Sequence, residues 1–347
     1  MKKTKKIDLK RSLIIKLILL QSFILGSCIE TFHPDVDLDS SYIVVSGFIS
    51  NEDAIKVIVE RSINPETGIS SKIVGATVKL LGNNGTEEFL FERNDGIYQG
   101  ETIGLPNVSY SLEIILPNAR VIKSDWQLLK SGAVVGELSL EQTTRLEFID
   151  GFENKINGLD LNLYLNEPNK VSKYYRWTLQ GTYEFHSPLS ADICYVRDFF
   201  TGNFILGESI SNNSDIISKN LAFLESNGKK FAIGYSMEVK QYALNSDAYN
   251  YWKKIDDQQN NVGSVFDSPP SQILGNLEYL NNDELQVLGF FEASYVSSSR
   301  IFINPSDFVI EPTLETSPCS FDNPPGWCSD CTTLVGSTRN KPGFWPY

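Results

Sequence analysis

Ala76-Thr77-Val78-Lys79-Leu80-Leu81 runs into Gly82-Asn83-Asn84-Gly85, and Glu88-Phe89-Leu90-Phe91-Glu92 follows. A β-prone run, a Gly/Asn turn and a second β-prone run make a hairpin, because Gly and Asn adopt the positive φ that tight hairpin turns need. The same pattern continues on both sides. Upstream, Tyr42 to Ile49 is a strand, and Ile55, Val57 and Val59 alternate with Lys56 and Ile58. Asn64-Pro65-Glu66-Thr67-Gly68 is a turn. Downstream, Asn94-Asp95-Gly96 turns the chain before Ile97-Tyr98, Tyr110 to Ile115 alternates, and Pro117-Asn118 closes that run. Short strands at this spacing predict a β-sandwich over residues 41–130.

Residues 131–347 continue in β character after a connector from Ser124-Asp125-Trp126 to about Gly136. Leu138 to Glu141 is strand-like, and Asp160-Leu161-Asn162-Leu163-Tyr164-Leu165-Asn166 alternates with Leu161, Leu163 and Leu165 inward. Lys173 to Leu179 is expected to pair with it across a Glu167-Pro168-Asn169 turn. Lys229 to Gln241 puts Phe231, Ile233, Tyr235, Met237 and Val239 on one face. Ser246 is expected to cap a helix reaching about Gln259, with Asp247 in its first turn. Its stripe of Tyr249, Trp252 and Ile255 reads as core. Val287 to Phe291 is an uninterrupted apolar run, hence a buried strand. The expected fold class is all-β: an N-terminal transthyretin/Ig-like sandwich, then a larger, mostly antiparallel β domain with one or two short helices.

The composition agrees. There are 20 Phe and 15 Tyr, and aromatic side chains suit the pleated surface of sheets. The net charge is −13, which argues against nucleic acid or anionic lipid surfaces as partners.

The N-terminus is of a different kind. Lys2, Lys3, Lys5, Lys6, Lys10, Arg11 and Lys16 crowd it with only Asp8 in opposition, an apolar run extends from Leu13 to Leu25, and Gly26-Ser27 precede Cys28. This is the layout of a secretory signal over residues 1–27, too short for a comfortable membrane span. Leu25-Gly26-Ser27-Cys28 resembles the lipobox of bacterial lipoproteins, in which the cysteine sulfur receives a diacylglyceryl group; no other cofactor is implied. Residues 28–40 then form an acidic tether. Asp35, Asp37 and Asp39 have the spacing of a calcium loop, but Ser40 stands where its glycine belongs and Ser46 where its glutamate belongs.

Besides Cys28 there are Cys194, Cys319, Cys328 and Cys331. An even number in an exported chain points to disulfides, with the pairing open. Cys328-Ser329-Asp330-Cys331 also has the spacing of half a zinc site, whose other ligands would be Cys194 and Cys319. No metal ligand set is assigned, and no catalytic residue. The chain has no nucleophile elbow, no His-Glu-x-x-His, no phosphate loop and no dinucleotide fingerprint. Of two histidines, His33 lies in the tether and only His186, beside Ser187, could serve a triad. Among the tryptophans, Trp177 and Trp252 read as core and Trp327 as the most exposed.

Gly75-Ala76-Thr77-Val78, Gly96-Ile97-Tyr98 and Tyr110-Ser111-Leu112-Glu113-Ile114 resemble the small transthyretin-like or carboxypeptidase-regulatory-like sandwiches. A wider resemblance rests on Gly263-Ser264-Val265-Phe266-Asp267-Ser268-Pro269-Pro270, Gly275-Asn276-Leu277, Val287-Leu288-Gly289-Phe290-Phe291-Glu292-Ala293-Ser294, Cys328 to Cys331 and Lys341-Pro342-Gly343-Phe344-Trp345. Together these resemble the DUF4249 family of Bacteroidetes lipoproteins, often encoded near TonB-dependent outer-membrane receptors. The resemblance implies a non-enzymatic, lipid-anchored outer-membrane protein that helps a TonB-dependent transporter capture or pass a ligand. It carries no catalytic or ligand-binding residues over. The alternatives are an adhesin or structural envelope lipoprotein, and a secreted hydrolase acting on glycans. Many surface-exposed lipoproteins of that phylum carry an acidic cluster just after the lipidated cysteine. Ile29-Glu30-Thr31-Phe32 supplies one acid, so the membrane face stays open. In the same block Gly263, Gly275 and Gly289 suit turns or close backbone approach.

Overall fold

Ile55, Val57 and Val59 are fully buried in strand β2 (Ala54–Arg61), and Val45 and Ile49 are so in β1 (Ile43–Ser50). Period-two alternation gives each strand one apolar face, which the fold turns inward. The expected hairpin is β3 (Thr77–Gly82) and β4 (Glu87–Asn94). Gly96, at φ +66°, turns the chain into β5 (Ile97–Ile103), and β6 (Ser109–Ile115) and β7 (Val121–Ser124) follow. The short β8 (Gln127–Leu128) pairs with β6.

This computed structural model describes residues 42–346 apart from 64–67, 133, 167–171, 201–203, 209–215, 261–271 and 281–284. The signal, Cys28, the tether, the Pro65 and Pro168 turns, and the stretch with Gly263, Pro269 and Pro270 therefore lie outside the described residues.

The remaining strands are β9 (Glu137–Ile149), β10 (Phe152–Asn166), β11 (Tyr174–His186), β12 (Ile193–Asp198), β13 (Ile205–Glu208), β14 (Ile216–Glu225), β15 (Gly234–Leu244), β16 (Leu274–Tyr279), β17 (Gln286–Ile303) and β18 (Ser337–Thr338). Helix α1 (Gly228–Phe231) precedes β15, and α2 (Ser246–Asn260) follows it. No described helix is long and apolar enough to cross a membrane. The molecule is thus mostly β with two helices among the described residues.

Strands β1 to β7 lie in a nine-stranded, barrel-like sheet ordered β1-β2-β5-β4-β3-β6-β7-β16-β17, which returns from β17 to β1. The β1–β17 pairing is parallel, setting Ile43 beside Val287 and Ser50 beside Ser294. The ring holds one core, with Leu80, Tyr98, Leu112, Ile114 and Phe291 fully buried or nearly so. Two glycines let it close. A Cβ on Gly289 (φ +95°) would lie 2.0 Å from the Val45 carbonyl oxygen, and one on Gly275 would lie 1.6 Å from the Gly289 oxygen. This is the close approach expected of that pair.

Strand β17 belongs to both halves of the structure. Its first part pairs with β1, and from Tyr295 to Ile303 it pairs with β15. The sheet then continues β15-β11-β12-β18. A separate three-stranded sheet, β14-β10-β9, packs on it. Leu161, Leu163 and Leu165 of β10 meet Trp177, Phe185, Met237 and Val239 in a second core. The three leucines point inward as their alternation predicts. Their strand, however, pairs with β9 and β14, whereas β11 pairs with β12, β13 and β15. The expected β10–β11 pairing is therefore a facing contact between two sheets. Alternation fixes which face is apolar, and both hydrogen-bonded and stacked strands satisfy it.

Two boundaries also move. Phe231 lies in α1, because Asn227 caps a turn by accepting from Lys229 N at 2.9 Å. Helix α2 is capped one residue before Ser246, by Asn245, whose Oδ1 accepts from Ala248 N at 2.8 Å. The four cysteines form two disulfides, Cys194–Cys331 and Cys319–Cys328. Each half of the Cys-x-x-Cys pair is bridged to a cysteine outside it, which corrects the half-zinc-site alternative.

Candidate functional site

Within Tyr174-Tyr175-Arg176-Trp177, Tyr175 and Trp177 face the second core, so alternation directs Arg176 to the opposite face of β11. Tyr242 of β15 lies directly across the ladder from it, and cross-strand partners share a face. The same logic acts on β17: Phe291 enters the barrel core, and Phe290 and Glu292 point out of it. Helix α2 covers this outer face and adds Tyr251 and Trp252.

These residues build a buried charge pair in an aromatic setting. Arg176 Nη2 donates to Glu292 Oε1 at 2.9 Å, with side-chain exposures of 9% and 4%. The guanidinium lies 4.0 Å from the Tyr242 ring centre and 4.5 Å from that of Trp252, within the range of cation–π attraction. Glu292 also accepts from Trp252 Nε1 at 2.6 Å and from Ser294 Oγ at 2.7 Å. A buried ion pair holds only when further hydrogen bonds offset the cost of removing both charges from water. Both carboxylate oxygens meet that condition here. The guanidinium does not: Arg176 Nε is buried with no hydrogen-bond partner among the described residues.

A cavity of about 660 Å³ opens beside the pair. One wall is the outer surface of the barrel-like sheet, with Ser46 and Phe48 of β1, Lys56 of β2, Gln99 of β5 and Asp53 before β2. Phe290 and Glu292 of β17 lie beside Ser46 and Phe48 on the same sheet, and Tyr242, Tyr251, Trp252 and Arg176 complete the lining. The aromatic lining is braced internally. Tyr251 stacks on Phe290 at 4.7 Å, and Phe204 meets Trp252 edge-on at 5.0 Å. Burial, with a smaller contribution from the Glu292 carboxylate, raises the Tyr251 phenol above its ordinary pKa, so it stays neutral. With both its oxygens engaged as acceptors, Glu292 is a poor general base. The arrangement is suited to holding a ligand.

The residues singled out from sequence fall differently. Cys28 is outside the described residues, and the four bridged cysteines are not among those lining the cavity. His186 pairs with Glu184 at 2.5 Å and does not line it either. Among the described residues no group of three or more His, Cys, Asp or Glu is placed to hold a metal. Trp177 is core, as expected. Trp252 is half-buried: it packs against a small core of Leu244, Ala248 and Phe290, and it also lines the cavity. Trp327 is half-buried against Phe185, and Trp126, at 53%, is the exposed tryptophan. Arg176 and Glu292 escaped the sequence reading. Their signal was a charge inside an apolar strand: Arg176 amid Tyr174, Tyr175 and Trp177, and Glu292 after Phe290-Phe291.

No curated protein and no solved structure matches this chain. One family does, described as a domain of unknown function, DUF4249, and the match extends from residue 29 to residue 300. That is more than three quarters of the sequence, and the chain belongs to the DUF4249 family.

Proposed function

We propose that this chain is a non-enzymatic lipoprotein, anchored in the outer membrane through lipid on Cys28, that captures a small ligand for a TonB-dependent transporter. The observation that carries the capture role is the cavity of about 660 Å³ with its buried Arg176–Glu292 pair. That volume lies within the roughly 300–1,000 Å³ of ordinary small-molecule sites. The lipobox-like Leu25-Gly26-Ser27-Cys28 supports the anchor, and the family's association with receptor genes supports the partner. In this reading residues 41–130 serve as a transthyretin-like, sandwich-type module, supported by the hairpin run from β3 to β6.

Affinity purification of the tagged full chain from native membranes tests the partner; a TonB-dependent transporter should co-purify. Its absence under several growth conditions would overturn the transport reading. Cys28→Ala should move the chain from the membrane to the soluble fraction. A Cys28→Ala chain that stays membrane-bound through carbonate washing would overturn the anchor.

One observation favours an adhesin-like or structural role as second reading. Beyond its pairing with β14, the β9–β10 hairpin continues as a two-stranded ribbon, and Phe148 and Phe152 near its tip are 76% and 75% exposed. A deletion strain with normal uptake and altered surface attachment would favour that reading.

A further inference from the structure

The cavity's lining mixes polar and aromatic groups, and the mixture specifies a ligand. On the barrel side Ser46, Asp53, Lys56 and Gln99 offer hydroxyl, carboxylate, ammonium and amide groups. Phe48, Tyr242, Tyr251, Trp252 and Phe290 offer aromatic carbon, and Arg176 lines the cavity beside them.

Charge narrows the choice. The lining carries two acids, Asp53 and Glu292, and two bases, Lys56 and Arg176. The guanidinium is already neutralised by Glu292 at 2.9 Å. A carboxylate or phosphate brought to Arg176 would also meet Glu292, and a cation there would meet the guanidinium, so the ligand is neutral. Backbone pairing narrows it again. Strand β1 is hydrogen-bonded to β2 and β17, β2 to β1 and β5, β5 to β2 and β4, and β15 to β11 and β17. These wall strands offer no free edge to an extended peptide, which would bind by adding a strand. What fits is a neutral molecule polar on its edge and apolar on its face, as a pyranose ring is.

We propose that the cavity binds a neutral mono- or disaccharide. A ring hydroxyl or ether oxygen accepts from the Arg176 guanidinium, the remaining hydroxyls meet Ser46, Asp53, Lys56 and Gln99, and a C–H face lies on the aromatic rings. This rests on the capture reading above and adds its ligand class.

Isothermal titration of the detergent-solubilised full chain tests it. The probes are glucose, galactose, N-acetylglucosamine, cellobiose and lactose, with glucuronate and glucosamine as charged counterparts and N-acetylated, amidated dipeptides as neutral amides. At least one neutral sugar should bind with one-to-one stoichiometry, and its charged counterpart about tenfold or more weakly, a difference of the size single buried polar contacts confer. Arg176→Lys keeps the charge and removes the planar guanidinium, and should weaken binding about tenfold. If Arg176→Lys fails to fold, Gln99→Ala and Asp53→Asn, on the barrel-side wall, decide the matter through losses of about threefold or more without a change in Tm. No binding by any sugar overturns the proposal, as does sugar binding that the folded variants leave unchanged. A dipeptide that binds here where sugars do not overturns the saccharide and leaves the capture reading standing. Sugar binding without a co-purifying transporter leaves the saccharide standing and removes the transport reading.

Discussion

The two cores of this molecule are held together by different means. The barrel-like core is mainly aliphatic, and its sheet closes on itself through the parallel β1–β17 ladder, so its backbone groups find partners around a ring. The second core is aromatic, with Tyr175, Trp177, Tyr183, Phe185, Phe231 and Tyr235, and its sheets have open ends. It is tied instead by polar links and covalent bonds. Trp177 Nε1 donates to Gln241 at 2.9 Å, Tyr235 donates to Asp198 at 2.8 Å, Lys230 pairs with the same carboxylate, and Cys194–Cys331 joins β12 to the C-terminal segment. A ring of ladders needs no cross-link, because opening any one strand breaks pairing on two sides. An open-ended sheet carrying large aromatics needs its edge fixed. The first half should therefore be sensitive to backbone substitutions at the closure, and the second to cysteine and polar substitutions.

The largest effect is expected at the closure. In Gly289→Ala the new methyl group would enter the Val45 carbonyl at 2.0 Å, on a backbone with φ +95°. Steric conflict with backbone and left-handed strain add, so the cost should exceed about 5 kcal/mol. Thermal unfolding should show a Tm lowered by on the order of 10 °C or no folded protein. A Gly289→Ala chain of unchanged Tm would mean that the β1–β17 ladder does not hold the barrel.

Next in size is the covalent tie of the second half. Cys194–Cys331 spans 137 residues and Cys319–Cys328 spans 9. In the chain-entropy account their loss costs about 5 and about 2.6 kcal/mol respectively. Cys194→Ala with Cys331→Ala should thus lower stability more than Cys319→Ala with Cys328→Ala in chemical denaturation. The reverse order would place the stabilising constraint within the C-terminal segment alone.

A pH effect of intermediate size also belongs to the second core. Burial, aided by the Asp198 carboxylate, pushes the Tyr183 phenol up to about 12, and burial with the same carboxylate raises Tyr235 further. A phenol whose folded pKa is raised contributes its stability fully below the unfolded pKa of about 10. The contribution is lost as pH rises through the folded value, about 12 for Tyr183. Stability should therefore fall between these limits, by about 2–3 kcal/mol from Tyr183. Tyr183→Phe should flatten the decline, as read by denaturant midpoints across alkaline pH. An equal decline in Tyr183→Phe would assign the alkaline loss to other groups.

The strands of both halves are legible in the sequence because alternation reports on a face, and the face is a local property. Ile55, Val57 and Val59, or Leu161, Leu163 and Leu165, are inward by their spacing alone. Which strand lies beside which is a long-range matter. Ile43 pairs with Val287, and nothing near either residue specifies the other. The mistaken β10–β11 pairing shows the same limit at short range, since two apolar faces meet equally well as neighbours in one sheet or across two. The disulfide pairing is of this kind as well. Four cysteines allow three pairings, and only the fold brings Cys194 to a Cα–Cα distance of 5.8 Å from Cys331. The candidate site lay further from view. Arg176 and Glu292 stand 116 residues apart, and each alone is one charge in an apolar strand. Trp252 belongs to a helical stripe that reads as core, and one residue of that stripe packs on a core and lines the cavity as well.

The smallest expected effect concerns the side chain that joins the two halves. Asn245 caps α2 through Oδ1, and its Nδ2 donates to Gln127 Oε1 at 2.8 Å. Gln127 belongs to β8, which pairs with β6 of the barrel-like sheet. Asn245→Ala removes both contacts and should cost about 1–2 kcal/mol, most of it the cap. Asn245→Ser keeps an acceptor for the helix N-terminus, but its side chain is one atom too short to reach Gln127 as well. It should recover about half of that loss. Full recovery by Asn245→Ser would mean that the contact with Gln127 contributes nothing. No recovery would mean that Asn245 acts through the contact and not through the cap. Denaturant midpoints of the three proteins, with unchanged slopes, separate these outcomes.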